Sequence, residues 1–112
     1  MGWKHGEEEG IKKMKTLKII ELLENLDSID DSLCVYIAKG SWQNEDICLL
    51  MEQDEVDEYG YTYQEFEYSL GVFTLKEIVE NIICQSPKTY KKFLNKAVLY
   101  YLENDSFLDI TS

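Results

Sequence analysis

Residues 33–38, LCVYIA, and 46–51, DICLLM, are two short apolar runs separated by the polar loop KGSWQNE. Runs of this length, rich in β-branched and aromatic residues and closed off by Gly40, read as strands. Two strands in immediate succession predict an antiparallel hairpin, and the rest of the chain must cover a sheet built on it.

Upstream, TLKIIELLENL (16–26) places Ile19, Leu22, Leu23 and Leu26 at helical spacing behind Thr16 as N-cap, which predicts a helix ending near Asp27. The run DSIDDS (27–32) then supplies Asp and Ser, whose side chains compete for backbone hydrogen bonds and favour turns. Downstream, EQDEVDEYG (52–60) is too charged for a core and reads as a solvated loop. In YTYQEFEYSLGVF (61–73) the apolar positions Tyr63, Phe66, Tyr68, Leu70 and Val72 alternate imperfectly, predicting a third strand ending about Gly71, with a short helix over 62–68 as the alternative.

Thr74-Leu75-Lys76-Glu77 matches a capping box, so a helix to about Cys84 is expected. Ser86-Pro87 repeats that grammar, cap followed by proline. The last helix is then expected from Pro87 to about Glu103, with Tyr90, Phe93, Leu94, Ala97, Val98 and Tyr101 forming its apolar stripe. The likeness of TLKII (16–20) to TLKEI (74–78) is read as shared helix-start chemistry rather than duplication. The expected order is α-β-β-β-α-α. It describes an α+β fold, a small antiparallel sheet of two to three strands with about three helices packed on one face, forming a single domain over 16–110. Residues 1–15 are expected to be a flexible tail, with Met14 at or near the natural start.

The 112 residues carry 22 acidic side chains against 11 lysines, no arginine, one histidine and a net charge of −11. Such a chain repels phosphate backbones and lacks the guanidinium fork that reads guanine, so direct nucleic-acid binding is disfavoured. At 45% apolar and 12% aromatic residues it is nevertheless ordinary globular material. No apolar stretch approaches a membrane span and no secretory signal opens the sequence. Cys34, Cys48 and Cys84 are odd in number, lack C-x-x-C spacing and sit in apolar runs, so all three are read as buried free thiols of a reducing cytoplasm.

Conventional catalysis is poorly supplied, because the single histidine, His5, lies in the expected tail and leaves Ser–His or Cys–His chemistry without a base. A calcium loop fails on register. With Gly60 at its sixth position, Tyr59 and Phe66 fall where oxygen ligands belong. No HExxH, zinc or phosphate-loop pattern occurs, so no enzyme, metal or cofactor is expected.

Charge placement is the most unusual feature. Between Gly40 and Leu75 stand nine acids and no lysine, interleaved with Trp42, Tyr59, Tyr61, Tyr63 and Tyr68, while Lys88, Lys91, Lys92 and Lys96 gather near the start of the last helix. Read plainly, the acidic run is a solvated loop and the lysines an exposed helix face. Read as a surface, carboxylates around aromatic anchors fit a basic protein partner, with Trp42, Glu52, Asp54, Glu55, Asp57, Glu58, Tyr59, Tyr61 and Tyr63 as its contact residues.

The stretches CLLMEQDEVDE (48–58), YSLGVFTLKEIVENI (68–82) and AVLYYLENDSFLD (97–109) resemble a family of small acidic bacterial proteins found among the immunity genes of polymorphic-toxin and contact-dependent growth inhibition systems. The resemblance implies a cytoplasmic, non-enzymatic immunity protein that binds and neutralises a cognate basic toxin, a nuclease being one such target. It carries over no contact residue. A phage anti-defence inhibitor that mimics nucleic-acid charge, and a non-catalytic dimeric interaction domain joined through the last helix, are the alternatives.

Overall fold

The computed structural model describes residues 15–38 and 42–110. The expected hairpin is present: β2 (Cys34–Ile37) pairs antiparallel with β3 (Ile47–Met51), Cys34 opposite Met51 and Ile37 opposite Cys48. The sheet around it is larger than the expected two to three strands. It has five antiparallel strands in the order β1-β3-β2-β5-β4, adding β1 (Lys15–Lys18), β4 (Thr62–Tyr63) and β5 (Phe66–Gly71). Four α-helices accompany it among the described residues, α1 (Ile19–Glu24), α2 (Gln53–Tyr59), α3 (Val72–Gln85) and α4 (Leu94–Asn104), where about three were expected. The order α-β-β-β-α-α is therefore corrected to β-α-β-β-α-β-β-α-α.

The expected first helix loses its opening turn to the sheet. Lys15–Lys18 pairs with β3, Thr16 opposite Leu49, because the β3 edge would otherwise leave its backbone groups unpaired. Thr16 is thus a strand residue, and the helix begins at Ile19, where the Glu21 carboxylate accepts the Lys18 N–H at 2.8 Å. A 3-10 turn at Leu26–Ser28 finishes the segment.

Three strands run straight into helices with hardly a residue between. Lys18, Glu52 and Gly71 stand at these junctions with nearly the same extended backbone, φ near −80° and ψ between 153° and 159°. At the third, the Val72 N–H donates to the Leu33 carbonyl at 2.8 Å, so the sheet itself starts α3. The capping box expected at Thr74 lies inside that helix. Lys76 instead donates to the Ile29 carbonyl (2.6 Å) and the Asp31 carboxylate (2.5 Å), tying α3 to the loop after α1. TLKII and TLKEI accordingly share no structure: the first straddles a strand–helix junction and the second lies within α3.

The expected helix start at Pro87 is also displaced. Ser86 and Thr89 bond hydroxyl to hydroxyl, residues 87–89 turn, and a 3-10 segment at Tyr90–Phe93 precedes α4. The apolar stripe survives this shift, with Leu94, Ala97 and Val98 buried and Tyr90, Phe93 and Tyr101 packed beside them. After α4 the chain extends along α3. The Gln85 amide donates to the Leu108 carbonyl and accepts from the Ile110 N–H, both at 2.8 Å, as a backbone peptide would.

The neighbouring inner strands β2 and β3 are buried on both faces, which is why their sequences are unbroken apolar runs rather than alternating ones. Val35, Cys48, Leu50 and Leu70 face one core with α1, α3 and α4. Cys34, Tyr36, Leu49, Met51 and Phe66 face a second, smaller core closed by Val56 of α2. The helices therefore lie on both faces, not one. A bulge opposite Val35 and Tyr36 shifts the register of β5, so Tyr68 pairs with Tyr36 while Leu70 pairs with Val35. The break in alternation between Tyr63 and Phe66 is the β4–β5 turn, whereas the bulge lets Phe66 and Leu70, four residues apart, face opposite cores.

Cys34 and Cys48 are buried, but Cys84 is exposed on α3 and corrects the reading of three buried thiols. Met14, His5 and the expected tail up to residue 14 lie outside the described residues. Among those described, no helix is long and apolar enough to cross a membrane.

Candidate functional site

The acidic stretch expected to be a loop is a helix. β3 ends at Met51, Glu52 turns the chain, and α2 follows, with the Glu55 carboxylate reaching back to the Glu52 N–H at 3.4 Å. Asp54 and Glu55 occupy the first turn, where the helix dipole favours negative charge. Gly60, at φ 82°, closes the helix and returns its N–H to the Val56 carbonyl at 2.7 Å. A positive φ is freely open to glycine alone, so Gly60 defines where α2 stops. Val56 is the only buried residue of the helix.

This geometry brings eight of the nine expected contact residues to one side of the sheet. Glu52, Asp54, Glu55, Asp57, Glu58 and Tyr59 lie on or next to α2, Tyr61 follows it and Tyr63 stands on β4. Tyr59 meets Tyr63 edge-on at 4.9 Å between ring centroids. Trp42 does not join them. It is fully buried in the opposite core, donates its indole N–H to Ser69 Oγ at 2.9 Å and accepts from Asn95 at its carbonyl. Its place in the polar loop KGSWQNE resembled that of a surface anchor, whereas the structure holds it inward with a left-handed backbone (φ 60°).

Beside α2 the structure adds Tyr68, Gln53 and Gly60, which complete a cleft of about 420 Å³ with Val56, Asp57 and Tyr61. A row of tyrosines leads into it from the core. Tyr36 is fully buried, Tyr68 stands edge-on to it at 5.6 Å, and Tyr61, 73% exposed, stands edge-on to Tyr68 at the same distance. The Tyr36 hydroxyl donates to the Gly60 carbonyl at 2.5 Å and so pins the end of α2 to the sheet. Gln53 donates to Asp57 at 3.3 Å and accepts a weak bond from the Cys34 thiol at 3.8 Å. Burial pushes the Tyr36 and Tyr68 phenols above their ordinary range. The Tyr59 phenol is raised as well, first by the negative charge of Glu58. Tyr68 was visible in the sequence as part of the tyrosine series; Gln53 and Gly60 carried no sign of a cleft.

The four clustered lysines belong to the segment leading into α4 and to α4 itself, whose core side lies across the sheet from α2. All four are exposed. A second cavity, about 590 Å³, lies between α1, α3 and the 3-10 turn, with Ile20, Leu23 and Ile83 among acids and lysines. Among the described residues no group of three or more His, Cys, Asp or Glu is placed to hold a metal ion, and no polar or charged side chain is buried.

A protein-family model described as a domain of unknown function, DUF7716, matches residues 16–110. The chain belongs to this family. No curated protein and no solved structure matches it. The DUF7716 match begins one residue into β1 and runs through the segment held by Gln85, so apart from Lys15 every strand and helix described here, α2 and its cleft included, lies within the family's span.

Proposed function

We propose that this DUF7716 chain is a non-catalytic binding protein of the cytoplasm that neutralises a basic protein, in the manner of a toxin immunity protein, through the surface formed by α2, Tyr61 and Tyr63. The observation that carries this reading is the charge at the C-terminal end of α2. Asp57 and Glu58 stand where the helix dipole disfavours carboxylates, and the last turn holds no basic residue. Such placement costs the fold stability, which fits residues kept for contact with something else. Carboxylates steer a basic partner into place, and the tyrosines supply rigid area to bury once it arrives. The resemblance to immunity proteins supplies the choice of a toxin as that partner.

The experiment is coexpression with the product of the adjacent gene, scored by growth rescue and by pull-down. Rescue that is lost when Asp54, Glu55, Asp57 and Glu58 are all replaced by lysine is the expected result. Rescue that survives the fourfold reversal removes this face as the binding surface, and failure to bind the neighbouring product removes the toxin-neutralising role.

A further inference from the structure

The surface just assigned contains one concave place, and its walls are chemically specific. Two tyrosine rings, Tyr61 and Tyr68, stand at 78° to each other with centroids 5.6 Å apart, forming an aromatic corner. Asp57 lines the cleft with an acidic side chain, and Gly60, whose backbone carbonyl is an acceptor, lines it at the end of α2. That carbonyl has two lone pairs and gives one to the Tyr36 hydroxyl. Gln53 and Val56 close the side formed by α2. No lysine lines the cleft, and the chain has none between Gly40 and Leu75.

Each wall selects against a different occupant. An aliphatic side chain would place apolar surface against the Asp57 carboxylate, whose side-chain donor is the Gln53 amide, and an acidic side chain would be repelled by it. A lysine ammonium is a compact, strongly hydrated point charge that can sit over a ring but cannot lie flat against it or fork between two acceptors. A guanidinium is planar, weakly hydrated and fork-shaped, so it can lie against a tyrosine ring while its N–H groups reach a carboxylate and a carbonyl together. Tyr61 and Tyr68 would pre-form the platform, since each already leans on another ring.

We infer that the cleft between α2 and β5 receives one arginine side chain of the basic partner, stacked in the Tyr61–Tyr68 corner and paired with Asp57. The inference rests on the proposed function and sharpens it. The acidic face attracts the partner, and the cleft recognises it by one residue type at one place.

The test is a titration of the isotope-labelled full chain with N-acetyl-arginine methylamide, followed residue by residue in NMR spectra. N-acetyl-citrulline methylamide, of the same shape but neutral, and the corresponding lysine compound serve as comparisons. Saturable shifts confined to Asp57, Gly60, Tyr61 and Tyr68 are expected with the arginine compound, at least tenfold weaker with either comparison. Asp57→Asn and Tyr61→Ala should each weaken the arginine response at least tenfold while leaving the rest of the spectrum in place, because both side chains are exposed. Equal responses to arginine and citrulline, or arginine shifts spread evenly along α2, overturn the inference. Octalysine and octaarginine separate the two levels. If both peptides shift α2 equally and the arginine compound leaves the cleft unmoved, the cleft assignment falls and the acidic binding face stands; if neither peptide moves α2, both fall.

Discussion

Trp42 shows how much one side chain can hold. It joins the loop before β3 to Ser69 of β5 and Asn95 of α4 while filling the larger core. Trp42→Ala should cost about 3–5 kcal/mol in urea unfolding, and Trp42→Phe, which keeps most of the volume but orphans Ser69, about 1–2 kcal/mol. Cys48 makes a different prediction. Burial, with the Glu21 charge adding to it, pushes its thiol from 9.0 up to about 12. The folded chain therefore holds this proton more tightly than the unfolded chain, and the resulting stability is complete below pH 9. It is lost as pH rises from 9.0 toward about 12. The loss amounts to roughly 3–5 kcal/mol at its full extent. Unfolding midpoints measured from pH 8 upward should fall more steeply in the native chain than in Cys48→Ala; equal slopes would show that the thiol does not carry the effect. The burial of Cys34 and Cys48 was legible from their strands. That of Trp42 was not, because a positive φ at a tryptophan leaves no sign in the sequence.

At the scale of elements, the sequence disclosed what repeats and concealed what does not. β2 and β3 are unbroken apolar runs, and α4 carries a full stripe, so all three were readable. α2 buries a single residue, Val56, and a one-residue stripe has no period to detect. β1 is an exposed edge of four residues, and its backbone pairing with β3 decided its conformation against the helical pattern that follows. The hairpin of β4 and β5 turns through Gln64, at φ 57°, with none of the Asn-Gly or Asp-Gly signals that mark such turns. The site was half legible for the same reason. Its charges were plain in the sequence, but that they form a helix beside three tyrosines depended on Gly60 and the β5 bulge. The charge of α2 also gives a prediction about its own stability. Glu58→Lys replaces an unfavourable charge at the helix end with a favourable one, and should raise unfolding stability by about 0.5–1 kcal/mol. The same change should weaken binding of a basic partner, so that stability and affinity move in opposite directions.

Across the whole molecule, acids outnumber lysines, and what sets the α2 layer apart is that it holds no lysine. The other layer mixes Lys88, Lys91, Lys92 and Lys96 with acids such as Glu21, Glu24, Glu77 and Glu80. With a net charge of −11, the chain draws an approaching cation before any contact forms, and its lysine-free face screens that attraction least. Association with a basic partner should therefore slow by about tenfold or more as salt rises from 0.05 to 0.5 M, mostly in the association rate. The variant with all four α2 acids reversed should lose this dependence, which stopped-flow mixing would read directly. The lone anchor of α2 reaches further still. Because Val56 alone of α2 is buried, replacements at the exposed Asp54, Asp57 and Glu58 need not be answered by changes anywhere in the sheet. A library randomised at these three positions should be recovered largely folded, whereas one randomised at Val35, Cys48, Leu50 and Leu70 should not. The frame and the face of this domain are thus free to diversify at different speeds: a lineage could acquire a new target by rewriting one helix of seven residues and inherit the rest unchanged.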